Sequence, residues 1–171
     1  MSRAFVKEDD AGEPPIIPPR AALPPGVQNY VTPYGLSSLK NELEELEAQR
    51  GRAEANREDE ANRTRQLTII KGQINALNER LATAKVVDPA QQPTDEVRFG
   101  ATVTLVTLSG GKPATKRTFT IVGVDEASIN EGKIAFVAPI AKAVIGAKIG
   151  QAVTLKLGRE EERVEVVKIS Y

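Results

Sequence analysis

The 171-residue sequence has no histidine, no cysteine and no tryptophan, only one methionine, and just 4% aromatic residues. Each absence removes a class of chemistry. Without imidazole or thiol there is no Ser-His-Asp or Cys-His nucleophile, no zinc site of the usual nitrogen and sulfur ligands, and no histidine-ligated haem. Any catalysis has to run on carboxylates, lysine, tyrosine or hydroxyls. The lack of cysteine also excludes a disulfide framework. No apolar run approaches the ~20 residues of a membrane-spanning helix, and the opening Met-Ser-Arg-Ala-Phe-Val-Lys-Glu-Asp-Asp turns acidic where a signal peptide needs its apolar stretch. These features predict a soluble, cytoplasmic protein with no membrane partner. Net charge is missing too, because 23 Lys and Arg balance 23 Asp and Glu. The surplus of cations that drives general nucleic-acid binding is therefore absent, and a protein surface is the expected partner.

What is present divides into three compositions. Residues 1–31 hold Pro14, Pro15, Pro18, Pro19, Pro24 and Pro25, over half of the eleven prolines. Proline removes amide donors and extends its neighbours, and few large apolar residues surround these, so residues 1–31 are predicted to be a disordered or polyproline II arm. Phe5 and Val6 are the arm's candidates for docking elsewhere. Its simplest role is that of a solubilising tail.

From residue 32 to 88 the pattern is that of a helical hairpin. Thr32 is a suitable N-cap and Pro33 a suitable first helical residue. Apolar residues then follow at spacings of three and four: Leu36, Leu39, Leu43 and Leu46 on one arm, and Leu67, Ile70, Ile74, Leu77, Leu81 and Ala84 on the other. Asp88-Pro89 ends the second helix. Neither stripe can be buried except against a partner, and an antiparallel pairing of the two places the turn near residues 58–60. With about 26 residues per arm at 1.5 Å each, the hairpin would reach roughly 40 Å. Its far end carries Glu58, Asp59 and Glu60, and residues 47–66 contain no large aliphatic side chain. A charged hairpin end needs no role beyond solvation, but a poorly packed acidic tip held that far from any core is an odd structural choice. Arg50, Arg52, Arg57, Arg63 and Arg65 flank it, placed either to pair along the helices with Glu54 and Glu58 or to meet external phosphates or acidic walls.

After a linker at 89–95, residues 96–171 alternate apolar and polar side chains. Strands are predicted over 101–108, 117–124, 133–138, 151–157 and 163–170, with turns at Ser109-Gly-Gly-Lys112 and Gly158-Arg-Glu-Glu161. Pro139 to Gly146 reads as a short helix opened by proline and closed by glycine. The fold class is thus α+β: an N-terminal antiparallel coiled-coil hairpin followed by a mostly antiparallel five-stranded sheet with a short helix.

The strings Phe99-Gly-Ala-Thr-Val-Thr104, Ile121-Val-Gly-Val-Asp-Glu-Ala127, Pro139-Ile-Ala-Lys-Ala-Val-Ile-Gly146 and Val164-Glu-Val-Val-Lys-Ile-Ser-Tyr171 resemble the C-terminal domain of the bacterial Gre (GreA/GreB) transcript-cleavage factors. Val31-Thr-Pro-Tyr-Gly-Leu-Ser-Ser-Leu-Lys40 and Ala84-Lys-Val-Val-Asp88 resemble the two ends of that family's coiled coil. The resemblance covers residues 31–171 and leaves the proline-rich arm outside it. It implies an FKBP-like domain that binds the rim of the secondary channel of bacterial RNA polymerase, and a coiled coil that enters the channel. In cleavage-competent members, acidic tip residues help hold a Mg²⁺ ion at the polymerase's own active site, where backtracked RNA is cut. On this resemblance Glu58, Asp59 and Glu60 are the candidate ligands of a Mg²⁺ shared with the polymerase. Arg57 and Arg63 are candidates for contact with the channel or the nascent RNA, and Pro139, Ile140 and Lys142 for polymerase binding. The protein would be a monomeric accessory factor with no cofactor and no catalytic residue of its own.

Two departures from the family pattern stand out. The family tip carries Asp and Glu three positions apart, as in Gly-Asp-Leu-Lys-Glu-Asn, whereas here the acids are contiguous and the hairpin is shorter. The rim segment, usually Asp-Ser-Pro or Asn-Ser-Pro, reads Val137-Ala138-Pro139. A second reading accommodates both: a regulator that occupies the channel without supplying a metal ligand, similar to the nucleoside diphosphate kinase regulators and Gre-like inhibitors. The FKBP-like fold does not by itself imply prolyl isomerase activity. The domain's Phe99, Phe119, Phe136 and Tyr171 are expected to fill its core, leaving no aromatic-walled pocket. Asp125 and Glu126 are expected to shape a loop and to bind no ligand.

Overall fold

The computed structural model describes residues 13–171. The expected docking of Phe5 and Val6 lies outside them. Strand β1, Asn29–Val31, leads into helix α1, Pro33–Ala55. As the sequence predicts, Thr32 caps α1 by accepting a hydrogen bond from the Gly35 amide at 2.9 Å, with proline in the first turn. Helix α2, Glu60–Thr83, returns antiparallel and passes directly into strand β2, Ala84–Val86. The helices are 23 and 24 residues long, so the hairpin reaches about 35 Å, less than the roughly 40 Å expected. The turn occupies residues 56–59, overlapping the predicted position.

The two apolar stripes meet as predicted. Leu39, Leu46, Ile70, Ile74 and Leu77 are buried between the helices together with Ala53, while Leu36, Leu43, Leu67, Leu81 and Ala84 line the edges. Large side chains fill the seam only on its inner two-thirds. Beyond Leu46 and Leu67 the contact narrows to Ala53, and an open groove of about 400 Å³ lies between Gln49, Ala53, Gln66 and Gln73.

At the hairpin base the structure corrects the sequence reading. Asn29–Val31, assigned to a disordered arm, pairs in parallel with Ala84–Val86, which was assigned to the end of the hairpin. The entering and leaving chains are thereby clamped to one another. Residues 13–28 have no regular secondary structure, but they lie along the hairpin and are not a free tail: Arg20 bonds Glu42, Arg65 donates to the Glu13 carbonyl, and Arg80 donates to the Ala21 carbonyl. Backbone donors lost to proline are of little consequence to a segment that docks through side chains and carbonyl oxygens.

The C-terminal half is a five-stranded sheet in the order β5-β4-β3-β7-β6, formed by β3 (Thr102–Ser109), β4 (Lys116–Val122), β5 (Lys133–Ala135), β6 (Ala152–Leu157) and β7 (Glu160–Ser170). Three pairings are antiparallel, whereas β5 joins β4 in parallel. Register shifts between β3 and β7 at Thr104/Leu105 and Thr107/Ser109 bend the sheet, as an extra residue on one strand does. Helix α3, Pro139–Val144, covers it, with Ala141 and Val144 buried among Val103, Leu105, Ile121, Leu155 and Val166. Of the aromatics, Phe119 is in this core. Phe99, Phe136 and Tyr171 are only partly buried at its edge, and the Tyr171 hydroxyl donates to the Glu96 carbonyl at 2.6 Å, pinning the last residue of the chain.

One charged side chain is buried on the sheet. Glu162 on β7 accepts a hydrogen bond from Thr107 on β3 at 2.6 Å and pairs with Arg117 on β4, tying three strands together. The Thr107 hydroxyl, and then the Arg117 guanidinium, hold the Glu162 carboxyl below its ordinary range. A depressed carboxylate stabilises the fold fully above the unfolded value, about 4.3, and that contribution is lost as pH falls through the lower folded value. Replacing Glu162 by Gln should therefore flatten the fall in stability below about pH 4.3 in a denaturation series taken against pH. In the hairpin, Leu77 is fully buried. Leu77→Ala should lower unfolding free energy by about 2–5 kcal/mol in chemical denaturation, the range for a large-to-small change in a well-packed site.

Candidate functional site

The two candidate regions lie at opposite ends of one lever: the acidic turn at the far end of the hairpin, and a face of the sheet domain around the start of α3. The turn is built by side chains that replace missing backbone partners. Asn56 closes α1, and its Oδ1 accepts from the Glu58 amide at 3.0 Å. Asp59 is the N-cap of α2, its Oδ1 accepting from the Asn62 amide at 3.0 Å. Glu60 opens the helix, where the positive end of the dipole favours a carboxylate. All three acids are exposed, and Asp59 retains its second oxygen.

The arginines around the turn divide. Arg63 donates to the Asn56 carbonyl at 3.0 Å and lies 3.9 Å from Glu60, so it stitches the turn together. Arg50 pairs with Glu54 at 3.9 Å, as the helical spacing suggested, while Arg52 reaches back to Glu45 at 3.0 Å. Glu58 takes part in no ion pair among the described residues. Arg57 is exposed in the turn itself.

Among the described residues no group of three or more acidic side chains is arranged to hold a metal ion. Carboxylate oxygens are the kind of ligand a hard divalent cation takes, but the described tip residues are not gathered around a common point. They do not make a complete site.

On the sheet domain, Pro139 and Lys142 are exposed, and Ile140 is half-buried against the core. Beside them runs a largely apolar groove of about 500 Å³ lined by Val124, Ala127, Ile129, Ile134, Val137 and Ala138. Ile129 is 93% exposed. The sequence reading missed it, although one signal was available: a lone isoleucine in the polar run Ala127-Ser-Ile-Asn-Glu-Gly132 has no periodic reason to be apolar.

The two regions are joined by a tight junction. Thr32, while capping α1, donates its hydroxyl proton to Glu126 at 2.6 Å. A Cβ at Gly35 would lie 2.8 Å from that same carboxylate, and one at Gly123 would lie 2.6 Å from the Tyr30 carbonyl oxygen, so glycine is what allows helix and sheet to approach. Tyr30 packs against Phe99 and Phe136 with ring centroids 5.6–5.8 Å apart. Those two phenylalanines, expected to fill the core, thus cement the junction. Asp125, expected to shape its loop, faces Arg20 and Arg80.

The family described as Transcription elongation factor, GreA/GreB, C-term matches residues 92–171. A transcription elongation factor GreA of Thermodesulfovibrio yellowstonii is 34% identical over 155 residues, covering 82% of this chain and 96% of the relative. The chain belongs to the GreA/GreB family of transcription elongation factors. A GreB of Neisseria meningitidis is 33% identical over 84% of this chain and 94% of its own length. A solved GreA/GreB factor from Nitrosomonas europaea aligns over 83% of this chain and 98% of its own at 22% identity, with a TM-score of 0.41. In this family member the hairpin's exposed end is its acidic end. No helix of the described residues is long and apolar enough to cross a membrane.

Asp59 fixes the turn through its side chain, which separates its structural role from its charge. Asp59→Ala should cost about 1 kcal/mol of stability, whereas Asp59→Asn, which keeps the capping oxygen, should cost almost nothing. Thermal denaturation of the two variants side by side measures this.

Proposed function

We propose that this elongation factor docks on RNA polymerase through the face formed by Pro139, Ile140, Lys142 and the groove beside Ile129, and extends its hairpin into the polymerase channel to promote cleavage of backtracked RNA. The observation that carries the reading is the placement of three exposed, contiguous carboxylates, two on the four-residue turn and one opening α2, about 35 Å from the sheet domain. A thin two-helix rod is the form that can deliver a carboxylate down a narrow passage. At the end of the passage, Asp59 and Glu60, with Glu58 beside them, would hold a Mg²⁺ ion of the polymerase. Such an ion lowers the pKa of water and stabilises charge in phosphodiester hydrolysis. The chain's own part is to place those oxygens, to exclude competing solvent, and to offer Arg57 and Arg63 to channel walls or RNA phosphates. It acts as a monomeric accessory factor in the compartment of its polymerase, and the active site is the partner's.

A specific observation favours a second reading. Asp59 is already engaged as a helix cap, and Glu60 lies near Arg63, so the tip could fill the channel and lend no ligand.

Asp59→Asn combined with Glu60→Gln distinguishes the two, because the cap survives and only charge is removed. With a backtracked elongation complex and Mg²⁺, the native chain should speed release of short 3′ RNA fragments. The double variant should lose that stimulation by about 10²-fold, a typical loss when a ligand or charge aimed at the transition state is removed, with polymerase binding intact. Absence of any stimulation by the native chain, with binding retained, would leave the channel-occupying regulator.

A further inference from the structure

Two adjacent residues of the proline-rich arm touch every rigid part of the molecule. Arg20 makes a two-pronged contact with Glu42 on α1, at 2.7 and 3.0 Å, and its other edge donates to Asp125 on the sheet domain at 3.2 and 3.0 Å. The next residue, Ala21, accepts from Arg80 on α2 at 2.6 Å. Three residues before Arg20, Ile17 sits against Gly72, where any side chain would collide with it, so α2 carries a notch for the arm. The arm has no part in the motifs that carry the family resemblance, yet it spans both helices and the docking domain.

The electrostatics show which contact matters. The side chains of Arg20, Arg80 and Asp125 are 16%, 12% and 8% exposed. Arg80 Nη1 and Asp125 Oδ2 lie 3.4 Å apart, but neither atom completes a hydrogen bond among the described residues. The hydrogen bonds to the Asp125 carboxylate come from Arg20. Without them a buried carboxylate keeps a cation nearby but no donor, an arrangement that favours opening to water.

The consequence is amplified by geometry. A rod of about 35 Å turned by about 10° at its base moves its tip by about 6 Å. A reacting group misplaced by about 1 Å can cost about 10²-fold in rate. The angle between hairpin and sheet domain therefore has to be held far more tightly than folding alone demands.

We infer that Arg20 is a positioning residue: the arm is a strap that ties α1, α2 and the Asp125 loop together and so fixes where the acidic tip lies relative to the docking face. The strap itself is independent of the proposed function; its effect on cleavage rests on that reading.

The lack of native cysteine makes the test direct. Spin labels at Ala61→Cys, beside the tip, and Arg159→Cys, in the β6–β7 turn, report the tip-to-domain distance in the full-length free protein by double electron–electron resonance. The native background should give one narrow distance population. Arg20→Ala should broaden it or displace it by about 6 Å, the motion of a 10° swing. Arg20→Lys, which keeps the charge but not the fork, should fall between. An unchanged distribution in Arg20→Ala overturns the inference. Should Arg20→Ala fail to fold by circular dichroism, Glu42→Gln decides in its place: it removes one half of the fork at a side chain that is 44% exposed, and an unchanged distribution there is equally fatal.

With polymerase and a backtracked complex, Arg20→Ala should keep its half-saturating concentration within about twofold while maximal stimulation falls about tenfold or more, the signature of misplacement. A loss confined to half-saturation would make Arg20 a binding residue and overturn the positioning role. A widened distance distribution alongside a native protein that never stimulates cleavage would leave the strap standing and remove the proposed function.

Discussion

The contact between the two apolar stripes of the hairpin governs the rest of the molecule. Leu39, Leu46, Ile70, Ile74 and Leu77 can leave water only against each other, since each stripe is too narrow to be buried any other way. That pairing fixes the antiparallel register, and the register fixes which residues form the turn. Glu58, Asp59 and Glu60 reach the far end because of where leucines and isoleucines stand some ten to twenty residues away. The same seam thins towards the tip, where the groove at Gln49, Ala53, Gln66 and Gln73 replaces packed aliphatic contacts. Local stability follows buried apolar contact, so the outer turns are the part of the hairpin that opens most readily, while the base stays rigid.

Rigidity at the base comes from groups that serve two elements at once. The Thr32 hydroxyl oxygen accepts from the Gly35 amide to start α1 and donates to Glu126 of the sheet domain. Helix initiation and domain docking therefore share one atom, and the small residues Gly35 and Gly123 leave room for it. The parallel pair of β1 and β2 adds backbone hydrogen bonds, and Tyr30 with Phe99 and Phe136 adds aromatic contact. Glu126 also lies 3.7 Å from Lys133 on β5, which carries the junction into the sheet and towards the groove beside Ile129.

The parts of this arrangement that were readable from the sequence are those with a local period or a local stop signal. The leucine and isoleucine spacings, the Thr32-Pro33 start, and the alternating strands each encode a short-range geometry, and each appears close to where it was expected, although the strand expected over 133–138 ends at Ala135 and β7 takes Glu160 and Glu161 from the expected turn. The turn could be located because an antiparallel pairing converts two local patterns into one position. The junction was not legible for a corresponding reason. The pairing of Asn29–Val31 with Ala84–Val86 is parallel and joins three-residue strands too short to show alternation, and Arg20 meets Asp125 across 105 positions. Charge pairs at that separation leave no periodic trace. Proline counted against order in residues 13–28, but order there needs only an arginine, an exposed carbonyl and a notch at Gly72. Ile129 escaped because a single apolar residue in a polar loop looks like noise until the loop is placed beside Val137 and Ala138.

The contiguity of the tip acids, a departure from the spacing of the family's cleavage factors, has a physical counterpart in the turn. In this chain the position three beyond Asp59 is Asn62, and its amide is the one Asp59 caps. The three-residue spacing that elsewhere brings two carboxylates together is here spent on ordering one of them. A carboxylate has two oxygens and about four acceptor sites, so capping through Oδ1 leaves Oδ2 able to accept or to ligate. Capping also restricts the side chain to one orientation, and an ordered ligand loses less entropy on binding than a free one. Glu58 and Glu60 are longer, and their carboxylates accept no hydrogen bond of the kind that holds Asp59. Asp59 therefore carries the most restrained carboxylate of the tip, held by the same cap that engages its first oxygen.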